Sequence, residues 1–307
     1  MRIIITGGEG NVCHPLAQAL EKEGHEVIII DKRRHPLHDL RNPFMANLIF
    51  DDIGRCDVLI HGAANIGGIG YFHWHQYETY NENIAITLNT LRYAKFDKFI
   101  YISSSMVYEG IQTMPLKEEM AEDNLPKSPY GKAKRICEEL VMHDAQHRGY
   151  PYLIVRPFNI YPEEIDFEAP YGEQHVLPDF IRKIVFERVG ERLGYVPIFG
   201  DGFQTRCFTH ISDFCNAMLR LLNVDNTTIN VANNEEVTMR GAATLIWKLY
   251  YGDRNIKFKC LPSFKWDVRR RVPDITEMSK YYKPRISLEE GLKMWLHELG
   301  VEVREDA

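Results

Sequence analysis

The 307-residue chain predicts an α/β fold, a doubly wound parallel sheet with a smaller C-terminal α/β lobe. Three observations carry that expectation. Short apolar runs alternate with helical patterns through the first half of the chain, which is how parallel strands joined by crossover helices read. The first run, RIIIT (2–6), passes through a glycine turn straight into a helix. The second, EVIIID, ends on an acid, as in a nucleotide-binding crossover.

Taken in order, RIIIT is a buried strand, GGEGN the turn, and HPLAQALEKEG a helix with Pro15 in its first turn and Gly24 just past its end. Further strands are expected at EVIIID, NLIF (47–50), DVLIH (57–61), KFIYISS (98–104) and YLIVR (152–156), with helices near 80–95 and 130–148. After Arg156 the pattern loosens. PFNIYPEEIDFEAPYGEQ leads into a helix at 176–189, and another strand-like run, TTINVA, lies near 227–232. Residues 1–157 with about 205–235 are assigned to the nucleotide-binding domain, and 158–204 with 236–307 to the smaller lobe.

Composition narrows the partners. At 45% hydrophobic and 26% charged residues the chain is globular, and a net charge of -6 gives no reason to expect nucleic acid. Arg269-Arg270-Arg271 is a local cationic cluster suited to a small polyanion. Six scattered cysteines without a C-x-x-C pair predict neither disulfides nor a metal site and suit a reducing cytoplasm. The apolar run at the N-terminus is too short for a signal peptide, and no stretch is long enough to span a bilayer, so a soluble cytoplasmic protein with no membrane partner is expected.

TGGEGNVC follows a strand and opens a helix, and Asp31 ends the next strand, which is the setting the dinucleotide fingerprint requires. Gly7 and Gly10 would let a pyrophosphate approach the helix start at Asn11 and Val12. Asp31 would accept from the adenosine ribose and favour NAD over NADP, while Lys32, Arg33 and Arg34 pull the other way. Cys13 stands at the usual third glycine. The plain alternative is an ordinary strand-to-helix turn.

Ser104 ends a strand, and SPYGKAK (128–134) sets Tyr130 and Lys134 at i and i+4, on one helix face. A tyrosine with a pKa near 10 is a poor base at neutral pH, but a lysine cation and an oxidised nicotinamide both favour its phenolate. Tyr130 could then take a proton from a sugar hydroxyl while hydride leaves the same carbon, with Ser104 hydrogen-bonded to that oxygen. The bland alternative is a solvated helix face.

These pieces, together with HGAA (61–64), the helix holding Asn83, Tyr108, RPFNIY (156–161), GDGFQTRCFTHISD (200–213) and RRRVPD (269–274), make the chain resemble the extended short-chain dehydrogenase/reductases of the nucleotide-sugar epimerase and dehydratase family over nearly its full length. The resemblance implies a Rossmann-type first lobe binding NAD, with Asp52, Ile53, Ala63 and Pro157 added to the cofactor site. It implies a nucleotide-diphosphate sugar substrate held by Gly68, Met106, Asn159, His175, Val176, Arg206 and Arg271, the diphosphate by Asn159 and the two arginines. Guanidinium forks suit a diphosphate, although an Arg206–Asp213 ion pair is the structural alternative. A homodimer through the helices near 80–95 and 130–148 is also implied.

Met106 selects among the family's reactions. At residues 105 and 106, sugar 4,6-dehydratases carry an Asp-Glu pair and decarboxylating relatives a Glu at 106; Ser105-Met106 offers neither, which disfavours both reactions. Epimerisation at C4 needs only Tyr130 and NAD and tolerates an apolar wall. Against this, NIGGIGYFHWH (65–75) is similar to the glycine-rich loop of GDP-mannose 3,5-epimerases and GDP-fucose synthases, which use a cysteine at the position of Met106 and a lysine or histidine in the region of His175. His73 and His75 are further candidate proton carriers. The expectation is a nucleotide-sugar 4-epimerase. The rivals are a 3,5-epimerase-like or reductase-like enzyme on a GDP-sugar and a silent NAD-binding sensor, the last opposed by the intact Ser104, Tyr130 and Lys134.

Overall fold

The computed structural model describes residues 1–265 and 267–304. Its main sheet contains β1 (Arg2–Thr6), β2 (Glu26–Ile30), β3 (Arg55–His61), β4 (Lys95–Ile102) and β5 (Tyr152–Pro157), closed by the strand Thr227–Val231. All six strands are parallel, in the order Thr227–Val231, β5, β4, β3, β1, β2. TTINVA thus joins the main sheet beside β5.

Helices cover both faces, so the inner strands bury apolar residues on both sides, with Asp57, Asp97 and Lys98 confined to the N-terminal halves of β3 and β4. Ile3 and Ile5 face one layer, where α1 (Cys13–Lys22) and the helix Ile211–Leu221 contribute Leu16, Leu20, Phe214 and Leu221. Ile4 points to the other, where α2 (Pro43–Ile53), α4 (Gln76–Tyr93) and α5 (Pro129–Arg148) supply Phe50, Leu91 and Cys137. The short α3 (Ile69–Trp74) lies outside both layers, in the loop that leaves β3. A third cluster, with Phe180, Ile184, Trp247 and Trp295, is the core of the smaller lobe.

The NLIF run is helical, not a strand. Pro43 occupies the first turn of α2, and the Asn42 side chain accepts hydrogen bonds from Phe44 N at 2.9 Å and Met45 N at 3.4 Å. Ala46, Ile49 and Phe50, at i, i+3 and i+4, are its buried stripe. The segment expected to be helical at 176–189 forms α6 (Val176–Ile181) and a π turn (Arg182–Phe186), and ends where Arg188 adopts a left-handed φ of 49°.

Candidate active site

A cleft of about 710 Å³ runs between the C-terminal edge of the sheet and the smaller lobe. The further candidate proton carriers His73 and His75 are not part of its lining, and every predicted catalytic, cofactor and substrate residue lines it except Asp52 and Ile53. Those two fall at the C-terminal end of α2, which runs against the strands and so finishes at the opposite edge, where Ile53 O accepts from Arg2 Nη2 at 2.8 Å. Asp39 and Leu40, just before α2, are in the cleft instead. Arg41 holds the Asp39 carboxylate at 2.8 Å and reaches Glu82 at 2.9 Å.

At this end the glycine loop is shaped for close approach. Gly7 has φ 71°, and a Cβ there would sit 2.6 Å from Ala63 Cα. The Cys13 sulfur fills space over Gly62, where a Cβ would lie 2.2 Å from it, so the missing third glycine is offset one strand away. No side chain caps α1, which leaves its first amides open to an anion. Asp31 is buried and fixed by Glu9 N at 3.1 Å and Arg33 N at 2.8 Å.

At the centre, Ser128 caps α5 by accepting from Gly131 N at 3.1 Å, which sets Tyr130 in the first turn and Lys134 one turn later. Burial pushes the Tyr130 phenol well above its ordinary pKa, while a hydrogen bond with Ser104 and the charge of Arg271 oppose that rise. Burial lowers Lys134 to about 8, and its Nζ donates to Ile102 O at 2.8 Å and lies 5.9 Å from the centre of the Tyr130 ring. Met106 is buried against Tyr130 and Phe72, the latter stacked on Tyr130 at 4.4 Å between centroids. Neither Phe72 nor its contact was foreseen.

Beyond Met106 the cleft is cationic. Arg271 Nη1 donates to Met106 Sδ at 2.9 Å and to Ser105 Oγ at 3.1 Å, while its buried Nε has no partner. Burial and then Arg206 lower Arg271 to about 9, and Asp267 works against them. Arg206 pairs with Asp267 at 2.7 Å and donates to Val268 O at 2.6 Å; Asp213 is occupied by Tyr282 and the Arg285 and Ile286 amides. Asp267 pairs with Arg206 alone, and Arg271, acted on by Asp267 and Glu109 only at a distance, keeps a buried charge that an anion would neutralise. Asn159 lines the same wall with φ 39°, its Nδ2 donating to Cys207 O at 2.7 Å. His175 Nδ1 meets Glu163 at 2.6 Å; burial favours the neutral ring, but the carboxylate prevails and raises the pKa. Val176 opens α6 beside it, and the buried Lys183–Asp179 pair, also unforeseen, completes the wall.

The family model for the NAD dependent epimerase/dehydratase family matches residues 3–232. The chain belongs to this family. Over 97% of its length it is 31% identical to the UDP-N-acetyl-alpha-D-glucosaminuronate decarboxylase of Bacillus cytotoxicus, covering 98% of that protein. It is 28% identical to the GDP-mannose 3,5-epimerase 1 of Oryza sativa subsp. japonica, over 97% of the chain and 82% of the relative. Among solved structures, the UDP-glucose 4-epimerase of Thermotoga maritima superposes with a TM-score of 0.83 at 26% identity, covering 98% of this chain and 99% of that one.

NAD is the cofactor of this family, and the residues present fit it. The glycine loop and the uncapped α1 suit its pyrophosphate, Asp31 a ribose, and the Tyr130–Lys134 face the nicotinamide end. Among the described residues no three metal-ligating side chains converge and no helix is long and apolar enough to cross a membrane.

Proposed function

We propose that the protein is a nucleotide-sugar 4-epimerase. The observation that carries this reading is the wall around Tyr130, where Met106 and Phe72 supply bulk and no carboxylate. When bound, NAD supplies the hydride acceptor and donor. Tyr130 takes the proton of the C4 hydroxyl and later returns it, and Ser104 orients that oxygen. The Ser104 hydrogen bond and the Arg271 charge favour the phenolate, with the Lys134 ammonium 5.9 Å from the ring centre adding to them. Arg206 and Arg271 hold the diphosphate, leaving the sugar free to turn over within the cleft. Tyr130→Phe is expected to abolish turnover of UDP-, GDP- and CDP-hexoses while leaving the fold intact; retained turnover would sink the mechanism.

A second reading is favoured by His175, whose imidazole with Glu163 lines the same cleft and could carry a proton to or from a carbon beside the ketone. Proton NMR in deuterated water separates the two. Inversion at C4 with no carbon-bound deuterium supports the first, and deuterium entering C3 or C5 supports a 3,5-epimerase. The homodimer through α4 and α5 belongs to both readings, and a monomeric mass in solution would remove it.

A further inference from the structure

We propose that Phe72 is a positioning residue for Tyr130, holding the phenol in place and keeping water off one of its faces by a full ring stack. The rings are 8° from parallel with centroids 4.4 Å apart, and Phe72 is 6% exposed. Two anchors fix it there. At the start of its loop, Asn83 on α4 accepts from Asn65 N at 2.8 Å and donates to Asn65 O at 3.0 Å, and Tyr71 donates to Asn65 Oδ1 at 2.8 Å. Across the cleft, Gly68 N donates to Glu173 O at 2.6 Å and Gly70 N to Gly172 O at 2.8 Å, so the smaller lobe holds the start of α3. A loop that only closed the cleft would not require a ring parallel to the tyrosine.

The charged and titratable groups around the phenol come from every neighbouring element. Lys134 and Cys137 lie on α5, Tyr101 on β4, Tyr71 on α3, and Arg271 on the C-terminal segment, with Ser104 hydrogen-bonded to the phenol. Phe72 is uncharged, so it acts on the phenolate by excluding solvent, by geometry and by the negative face of its ring.

The proposal rests on the role given to Tyr130, and two measurements keep the two ideas apart. Ultraviolet difference titration of the phenolate, with Tyr130→Phe and the matching double variants as references, needs neither substrate nor cofactor. Phe72→Ala is expected to lower the Tyr130 titration by about one pH unit as water reaches the ring. An unmoved titration overturns the proposal. Phe72→Leu refills the space without a flat ring, and should keep most of the titration but lose about tenfold in kcat at unchanged KM. Wild-type kcat in that variant overturns the positioning role, and it decides the matter alone if the alanine variant does not fold. Turnover retained in Tyr130→Phe would instead sink the catalytic reading and leave the stack to the titration.

Discussion

Replacing Gly68 by alanine should open the cleft between the two lobes. A Cβ at residue 68 would stand 2.2 Å from Gln174 O and 2.6 Å from its carbonyl carbon. Reaching ordinary contact at 3.4 Å requires a retreat of about 1.2 Å, which is backbone against backbone and cannot be relieved by a rotamer. The Gly68–Glu173 hydrogen bond of 2.6 Å would then stretch past bonding range, and the neighbouring Gly70–Gly172 bond of 2.8 Å would follow. At about 1 kcal/mol net for each bond, the closed arrangement loses about 2 kcal/mol, a shift of about 30-fold toward opening. Native-state hydrogen exchange reads this directly. The Gly68 and Gly70 amides should lose protection by about that factor, while the amides of β4, far inside the sheet, keep theirs. Unchanged protection at Gly70 would refute the idea that these two bonds hold the lobes together.

Lys134→Met should stabilise the fold at pH 7 while abolishing turnover. A lysine whose native pKa is lowered from 10.5 to about 8 is held at a cost whenever it is charged in both states. Between those two values the unfolded chain binds the extra proton, so wild-type stability rises with pH and the advantage of the variant, about 3 kcal/mol at pH 7, shrinks. Denaturant midpoints at pH 7 and 10 check this, and a difference independent of pH would contradict it. Arg271→Ala should weaken a nucleoside diphosphate by about 10- to 100-fold in calorimetry, because the lost contact is charge-assisted and buried, yet leave NAD affinity unchanged.

The elements legible in the sequence were those whose signals are local. RIIIT, the glycine turn and EVIIID are legible because each strand is an unbroken apolar run, buried on both faces in β1 and half-buried in β2 at the sheet edge. NLIF misleads for the same reason: four residues from the apolar side of a helix look like a short buried strand, and only the Asn42-Pro43 cap before them distinguishes the two. The cofactor positions that the resemblance implies at Asp52 and Ile53 fall outside the cleft, whose lining at that end includes Asp39 and Leu40. Tyr130 and Lys134 are legible because one helical turn fixes their spacing, and the Lys183–Asp179 pair has the same i, i+4 spacing but no neighbouring motif to single it out. The Phe72 stack and the choice of Asp267 over Asp213 for Arg206, by contrast, join segments far apart in the chain and leave no periodic trace.

Met106 shows why such a position needs its surroundings before it can be interpreted. Its side chain moves no proton, yet its sulfur and the Ser105 hydroxyl next to it accept from Arg271, so the residue is tied to the cationic end of the cleft as well as to Tyr130. A carboxylate there would meet Arg271 directly and pair with it, occupying the cation that an anionic ligand would otherwise meet. The methionine leaves the guanidinium weakly bound and available to an anion. Arg271 thus faces both ways, its charge opposing the rise of the Tyr130 phenol while its guanidinium stays open to an anion beside Arg206.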